Sequence, residues 1–179
     1  MCEYELSQGQ VALTPCGPDD GGLIILRGSA ALQAQFFAET GIQPAQDSGA
    51  RSFYTYTPED LAWFYRHGCE LVKVNCDVGD LTIWDSRSVH YNCAPVGDQI
   101  REVVYVCYYP RALFTPEQLV RKKELFDALR QTTHWPQRGV SHGGVPQRNG
   151  ADDPHHRAQP IKPPVFTERM KKLAGAIPF

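Results

Sequence analysis

His90 and Arg101 are the residues of this chain whose types and spacing best suit binding chemistry. An imidazole is a common metal ligand, and a guanidinium can hold a carboxylate through two parallel hydrogen bonds. Ser88 and Asn92 lie two positions on either side of the histidine. The set predicts a small organic acid bound beside a metal. A hydrogen-bonded structural histidine and an arginine in a surface ion pair remain the alternative interpretation.

Strand parity predicts that these side chains share one face of a sheet. If Val96-Gly97 forms a two-residue hairpin turn, Asn92 lies opposite Arg101 and His90 lies opposite Val103. Side chains alternate along a strand, so His90, Asn92 and Arg101 would then point the same way. A register slip of one residue would turn Arg101 to the other face.

An arginine on the inner face of a small barrel needs an acidic partner, because a buried charge without one is costly. Within the chain, Asp85 and Glu70 are the candidate partners. A carboxylate of a bound ligand is the other candidate.

These residues lie among short apolar segments that predict a mainly β protein with peripheral helices. Turn residues separate the segments, and no helix stands between parallel strands, which favours an antiparallel sandwich or barrel. Ser29, Thr57 and Thr115 are the predicted N-caps of three helices. The predicted strands cover residues 9–15, 23–27, 70–76, 80–85, 88–92 and 101–110, and the predicted helices cover 29–41, 57–68 and 115–132.

Composition places the chain among globular proteins and gives few further hints. It has 179 residues and a formal charge of −2, so it lacks the basic field expected of a nucleic-acid-binding protein. It has neither a membrane-length apolar run nor a secretory signal, and we expect free thiols and a cytoplasmic location. We expect a domain over residues 1–132 and an extended, Pro-rich tail over 133–179.

The histidines away from His90 are more simply explained as structural or solvent-exposed residues than as metal ligands. His67 ends a predicted helix, where it interacts favourably with the helix dipole. Asp152, Asp153, His155 and His156 resemble a metal cluster, but their polar, Pro-flanked context predicts a solvated segment.

Three sequence blocks together resemble the phytanoyl-CoA dioxygenase family in its fungal form, over residues 7–111. They are GPDDGGLIILRGS at 17–29, GDLTIWDSRSVHYN at 79–92 and Arg101 at the start of REVVYVCYYP. The resemblance implies a double-stranded β-helix, or jelly roll, and an oxidoreductase that uses iron(II) and 2-oxoglutarate to hydroxylate a small molecule. It implies that His90 binds the iron, that Arg101 binds the 2-oxoglutarate carboxylate, and that Ser88 and Asn92 orient these ligands.

The chain departs from that family where two of the three iron ligands should lie. Residues 1–16 contain neither histidine nor aspartate, so the family's His-x-Asp pair is missing, and Ala30 replaces a common histidine. Three explanations are open. The jelly roll is incomplete at its N-terminal side, or the chain is a metal-free relative that binds an acid or a partner. In the third, His67, His142 or a second subunit replaces the ligands.

Other function classes have weaker support. A metal-free binding or interaction module is the main alternative to an oxygenase. A cupin-type isomerase or hydrolase would need several histidines on adjacent strands. The basic cluster 121–123 favours a solvated helix face over nucleic-acid binding. Strand edges left open by missing strands would favour self-association.

Overall fold

The computed structural model describes residues 6–42, 53–137 and 145–178. All six predicted strands and all three predicted helices are present with shifted ends. A short hairpin and a fourth helix follow in the predicted tail. In chain order, the elements are β1 (Ser7–Ala12), β2 (Gly22–Arg27), α1 (Ser29–Thr40), α2 (Pro58–Arg66), β3 (Glu70–Lys73), β4 (Leu81–Asp85), β5 (His90–Cys93), β6 (Val103–Tyr108), a 3-10 turn (Arg111–Leu113), α3 (Pro116–Asp127), β7 (Gln147–Arg148), β8 (Ala151–Asp152) and α4 (Glu168–Leu173).

The first six strands form two three-stranded sheets with the orders β4-β1-β6 and β3-β2-β5. Strand β1 pairs antiparallel with β4, and β2 pairs antiparallel with both β3 and β5. The antiparallel sheets with a few helices agree with the predicted mainly β class. The jelly-roll topology remains a prediction.

The predicted hairpin between β5 and β6 is wrong. Strand β5 pairs with β2 and places His90 opposite Ile25, whereas β6 belongs to the other sheet. The backbone amides of Val96 and Gly97 donate instead to the carbonyl oxygen of Asp19, at 2.8 and 3.3 Å. This segment is therefore held by the turn before β2, and the chain crosses from one sheet to the other.

The N-caps of α2 and α3 are confirmed. At α2, the Thr57 hydroxyl accepts from the amide of Asp60, and the Asp60 carboxylate accepts from the amide of Thr57 at 2.8 Å. Thr115 and Gln118 form the same reciprocal pair at α3. These capping boxes depend only on neighbouring residues, which makes them readable from sequence.

Ser29 is not the N-cap of α1. That position belongs to Gly28, whose φ of 93° lies in the left-handed region that glycine adopts readily. The buried Ser29 hydroxyl donates to the carbonyl oxygen of Leu26 at 2.6 Å and accepts from the amide of Val89 at 2.9 Å. Ser29 thus joins the end of β2 to the segment that enters β5.

An aromatic core lies where α1 and α2 pack on the sheet that contains β2. Phe36 and Phe64 are fully buried, with ring centroids 5.0 Å apart in a stacked arrangement. The buried members of this aromatic core are Leu26, Phe36, Trp63, Phe64, Cys69 and Val89, and Leu32, Phe37, Ile42, Tyr54, Tyr56 and Leu61 pack against them.

The chain divides into two compact units, Met1–Cys107 and Tyr108–Phe179. In the second unit, the rings of Phe126 and Phe166 lie 4.5 Å apart. The predicted division into residues 1–132 and 133–179 stays a prediction. None of the helices in the described ranges is long and apolar enough to span a membrane.

Candidate functional site

His90 is the first residue of β5, and its side chain points towards the neighbouring sheet. Its ring meets the ring of Trp84 on β4 edge to face, with centroids 5.4 Å apart. Its Nδ1 lies 2.7 Å from the carbonyl oxygen of Ser88. When Nδ1 donates to that carbonyl, the lone pair of the ring is on Nε2. Ser88 thereby fixes the orientation of the imidazole through its backbone.

The Trp84 ring connects His90 to a polar face of β1. Its Nε1 donates to Oε1 of Gln8 at 3.2 Å, and the two residues are directly paired in the β1–β4 ladder. Gln8 and Gln10 lie on the same face of β1 because they are two positions apart on a strand. We call Gln8, Gln10, Trp84, His90 and Arg101 the polar layer.

Arg101 reaches the same face of β1 as His90 does. Its Nη2 donates to Oε1 of Gln10 at 2.5 Å, and Gln10 is only 1% exposed. His90 and Arg101 are therefore both directed at one face of β1, by a route other than the hairpin that the sequence suggested. Gln8, Gln10 and Trp84 were not among the site residues predicted from the sequence. The alternation Gln-x-Gln in β1 was the available signal.

Arg101 has no acidic partner in the described part of the chain. Its buried Nε has no hydrogen-bond partner there, and the neutral amide of Gln10 is the acceptor for Nη2. Glu70 pairs with Arg27, and Asp85 accepts from Nη2 of Arg87 at 2.6 Å. Burial acts to raise the pKa of Asp85, but the hydrogen bonds from Arg87 outweigh it and hold that pKa below its usual value.

Glycine at position 22 leaves room for a second cation, Lys73, beside Arg101. A Cβ there would lie 3.5 Å from Nε of Arg101, 3.0 Å from Nζ of Lys73 and only 2.8 Å from Sγ of Cys16. Any larger residue would displace these groups. Gly22 thus permits Lys73 and Arg101 to approach the same point, which sequence analysis did not foresee.

An open cavity of about 420 Å³ lies against Arg101. Its lining brings together Gly22, Asn92 and Arg101, and includes Cys93 and Ile100. His90 is not part of this lining, because it turns towards Trp84. The structure therefore brings Asn92 and Arg101 together at this cavity, whereas Ser88 and His90 contact each other outside its lining.

The residues in the described ranges do not form an iron site. No group of three or more His, Cys, Asp or Glu side chains within those ranges could hold a metal ion. His67 is stacked on Trp63 at 3.8 Å, with its Nδ1 2.8 Å from the carbonyl oxygen of Trp63. His142 lies outside the described residues.

Asp152 and Asp153, the acidic residues of the cluster noted in the tail, form hydrogen bonds within and beside the β7–β8 hairpin. The Asp153 carboxylate accepts from Nε of Arg148 at 3.3 Å and from the amide of His155 at 2.9 Å. Asp152 accepts from the side-chain amide of Gln147.

Comparison with known proteins finds one curated relative and several solved structures. No protein-family model matches the chain. It is 38% identical over 137 residues to Ava biosynthesis cluster protein O of Aspergillus versicolor, a match that covers 75% of this chain and 44% of that protein. The chain therefore spans less than half the length of this relative.

Two similar solved structures are EvdMO1 and the epimerase SnoN in complex with Fe3+, alpha ketoglutarate and nogalamycin RO. EvdMO1 has a TM-score of 0.41 and 22% identity, over 62% of this chain and 21% of its own. SnoN has a TM-score of 0.37 and 18% identity, over 83% of this chain and 47% of its own. Because these scores are below 0.5, they assign neither a fold nor a function to the chain.

Proposed function

We propose that this chain is an acid-binding part of an iron(II)/2-oxoglutarate-dependent dioxygenase of the phytanoyl-CoA dioxygenase type, with a jelly-roll fold. Arg101 binds a carboxylate of 2-oxoglutarate, and the described residues do not catalyse by themselves. The observation that carries this proposal is the partly buried side chain of Arg101, whose buried Nε has no hydrogen-bond partner among the described residues and which lines a cavity. The curated relative's name, a biosynthesis cluster protein, supports a small molecule as the substrate of the complete enzyme.

Two cations near the cavity favour a carboxylate ligand, although Asp98 also contributes a carboxylate to the lining and Lys73 lies outside it. Nε of Arg101 and Nζ of Lys73 both lie within 3.5 Å of the point where a Gly22 Cβ would stand. An unpaired buried cation costs on the order of several kcal/mol, and a carboxylate in a bidentate fork would offset that cost. Asn92 adds an amide donor at the same cavity.

Iron chemistry is not assigned to the described residues, because they offer no three-ligand group. Within the proposal, His90 is a single metal ligand through Nε2, and Ser88 holds its ring in position. One imidazole does not fix the geometry of a catalytic iron, so the remaining ligands must come from elsewhere.

A metal-free binding module is the second candidate, and the absence of a three-ligand group in the described ranges favours it. It shares the Arg101 site but makes no use of iron. The two candidates differ in whether a metal changes the affinity for the acid.

Calorimetric titration with 2-oxoglutarate tests the acid site. We expect Arg101→Leu to weaken binding at least about 30-fold, the scale of a charge-assisted bidentate contact. The matched control is Arg27→Leu, which removes an exposed arginine paired with Glu70 and should leave binding unchanged. Binding that survives Arg101→Leu would refute the site.

Repeating the titration with manganese(II) under anaerobic conditions distinguishes the two candidates. An oxygenase with a usable metal site predicts tighter 2-oxoglutarate binding with the metal, and predicts that His90→Asn abolishes this gain. A binding module predicts equal affinity with and without manganese. Iron-dependent release of succinate by the chain alone would contradict the proposed lack of catalysis.

A further inference from the structure

Cys16 and Cys76 face each other across an isolated antiparallel bridge. The amide of Cys16 donates to the carbonyl oxygen of Cys76 at 2.8 Å, and the amide of Cys76 donates back at 3.0 Å. Residues that exchange both bonds have Cα atoms about 5.5 Å apart, which is within the range that a disulfide spans. The backbone therefore already holds the two cysteines at a bridging distance.

The two thiols have different surroundings. Sγ of Cys16 lies 3.2 Å from Nζ of Lys73 and 3.1 Å from the carbonyl oxygen of Gly21. An ammonium at this distance stabilises a thiolate. Burial raises the pKa of Cys76, and the charge of Cys16 and a hydrogen bond with its side chain raise it further. The position of Cys16 beside the ammonium makes it the candidate for attack, and the neighbouring Cys76 is the candidate for the thiol that resolves the product.

A small acidic depression lies against both cysteines, of which Cys16 is 3% and Cys76 is 9% exposed. A cavity of about 220 Å³ is lined by Cys16, Cys76 and Asn75 together with the carboxyl-bearing Asp77 and Asp80. The carboxylates repel an anionic oxidant such as glutathione disulfide, whereas a small neutral molecule can enter.

We propose that Cys16 and Cys76 are a redox-active dithiol that a small neutral hydroperoxide oxidises to a disulfide. Cys16 gives up its proton and its sulfur attacks one oxygen of hydrogen peroxide, so the O–O bond breaks. The leaving hydroxide takes up that proton and departs as water, and Cys16 becomes a sulfenic acid; an organic hydroperoxide would release its alcohol instead. The Cys76 sulfur then attacks the Cys16 sulfur, the S–O bond breaks, and a second water leaves. The thiols together lose two electrons, and hydrogen peroxide is reduced to two waters.

Two other described cysteines have different surroundings. Cys69 lies in the aromatic core, where burial raises its pKa. Sγ of Cys93 lies 3.9 Å from the carbonyl oxygen of Asp20.

Mapping disulfides in the full chain tests the proposal. The reduced protein is exposed to hydrogen peroxide under native conditions, blocked with N-ethylmaleimide and digested with trypsin and chymotrypsin, which cuts at Tyr4 between Cys2 and Cys16. We expect a crosslinked Cys16–Cys76 peptide, formed at least about tenfold faster than with oxidised glutathione. Its absence, or equal rates with both oxidants, would overturn the proposal.

Variants test the separate roles of the thiols and the lysine. Cys76→Ser should leave a sulfenic acid on Cys16 that dimedone traps, and Cys16→Ser should consume no peroxide at the pair. Lys73→Gln should slow oxidation about tenfold, whereas Lys162→Gln, an exposed lysine, should not. Equal rates in Lys73→Gln and wild type would contradict the role of the ammonium. Circular dichroism checks the fold of each variant, and the wild-type peptide map decides the proposal even if a variant unfolds.

Discussion

Two consecutive residues, Val89 and His90, belong to two different regions of the molecule. Val89 packs into the aromatic core with Phe36 and Phe64, whereas the His90 ring contacts Trp84 in the polar layer. The aromatic core is apolar and its rings are close-packed. The polar layer instead contains an unpartnered arginine nitrogen within the described residues. The difference indicates that the aromatic core stabilises the fold, whereas the polar layer, where the acid site is proposed, keeps a polar group unpaired at some cost to stability.

Truncation in the aromatic core should have the largest effect on stability. Phe36 is fully buried and contacts five other aromatic rings. Phe36→Ala should lower the free energy of unfolding by about 3–5 kcal/mol, because it removes apolar burial and leaves a cavity. Urea denaturation followed by fluorescence measures this change. If Phe36→Ala lowered the free energy of unfolding by less than Ser29→Ala does, the aromatic core would not be the main source of stability.

Ser29→Ala should give the next largest effect, about 2–3 kcal/mol. The substitution leaves the carbonyl of Leu26 and the amide of Val89 without the side-chain contacts at 2.6 and 2.9 Å. Ser29→Cys, which keeps a weaker hydrogen-bonding group, should lose less. The same urea titration compares the three proteins, and equal stability of Ser29→Ala and wild type would show that Ser29 does not join β2 to the β5 segment.

Alkaline pH should weaken the aromatic core through Tyr56. Burial chiefly, and then the charge of Tyr54, raises the pKa of Tyr56 from 10.0 to about 12 in the folded protein. The unfolded chain ionises first, so this contribution is present below pH 10 and is lost as pH rises towards 12. Because the ring is only partly buried, we expect about 1–2 kcal/mol.

Tyr56→Phe should remove that part of the pH dependence. The free energy of unfolding should fall between neutral pH and pH 10 to 12, and this fall should be smaller in Tyr56→Phe than in wild type. Parallel pH profiles for the two proteins would contradict the raised pKa.

The smallest effect on stability should come from the polar layer. The double variant Gln10→Leu with Arg101→Met replaces both members of a partly buried polar contact by apolar groups of similar size. We expect a change within about 1 kcal/mol, or a gain, because no unpaired polar group remains and a buried charge is removed. The thermal unfolding midpoint measures this. A loss as large as that of Phe36→Ala would show that Arg101 supports the fold, and would break the comparison.

Local structure was readable from the sequence, because it depends on neighbouring residues. The capping residues Thr57 and Thr115 and the positions of β1 to β6 are examples. The assignment of Ser29 failed because its hydroxyl has a partner sixty residues away, the amide of Val89. The missed Gln10 has the same explanation, since its partner Arg101 is far along the chain.

The sequence by itself determined where β1 to β6 and α1 to α3 lie and which side chains are candidates to bind an acid, but it did not predict β7, β8 and α4 in the tail. Only the tertiary structure decided which sheet each strand joins, and hence that His90 contacts Trp84 while Arg101 contacts Gln10. Alternation along a strand is a property of the chain, but pairing between strands depends on long-range packing. For that reason the predicted hairpin was wrong, although both side chains are directed at one face of β1.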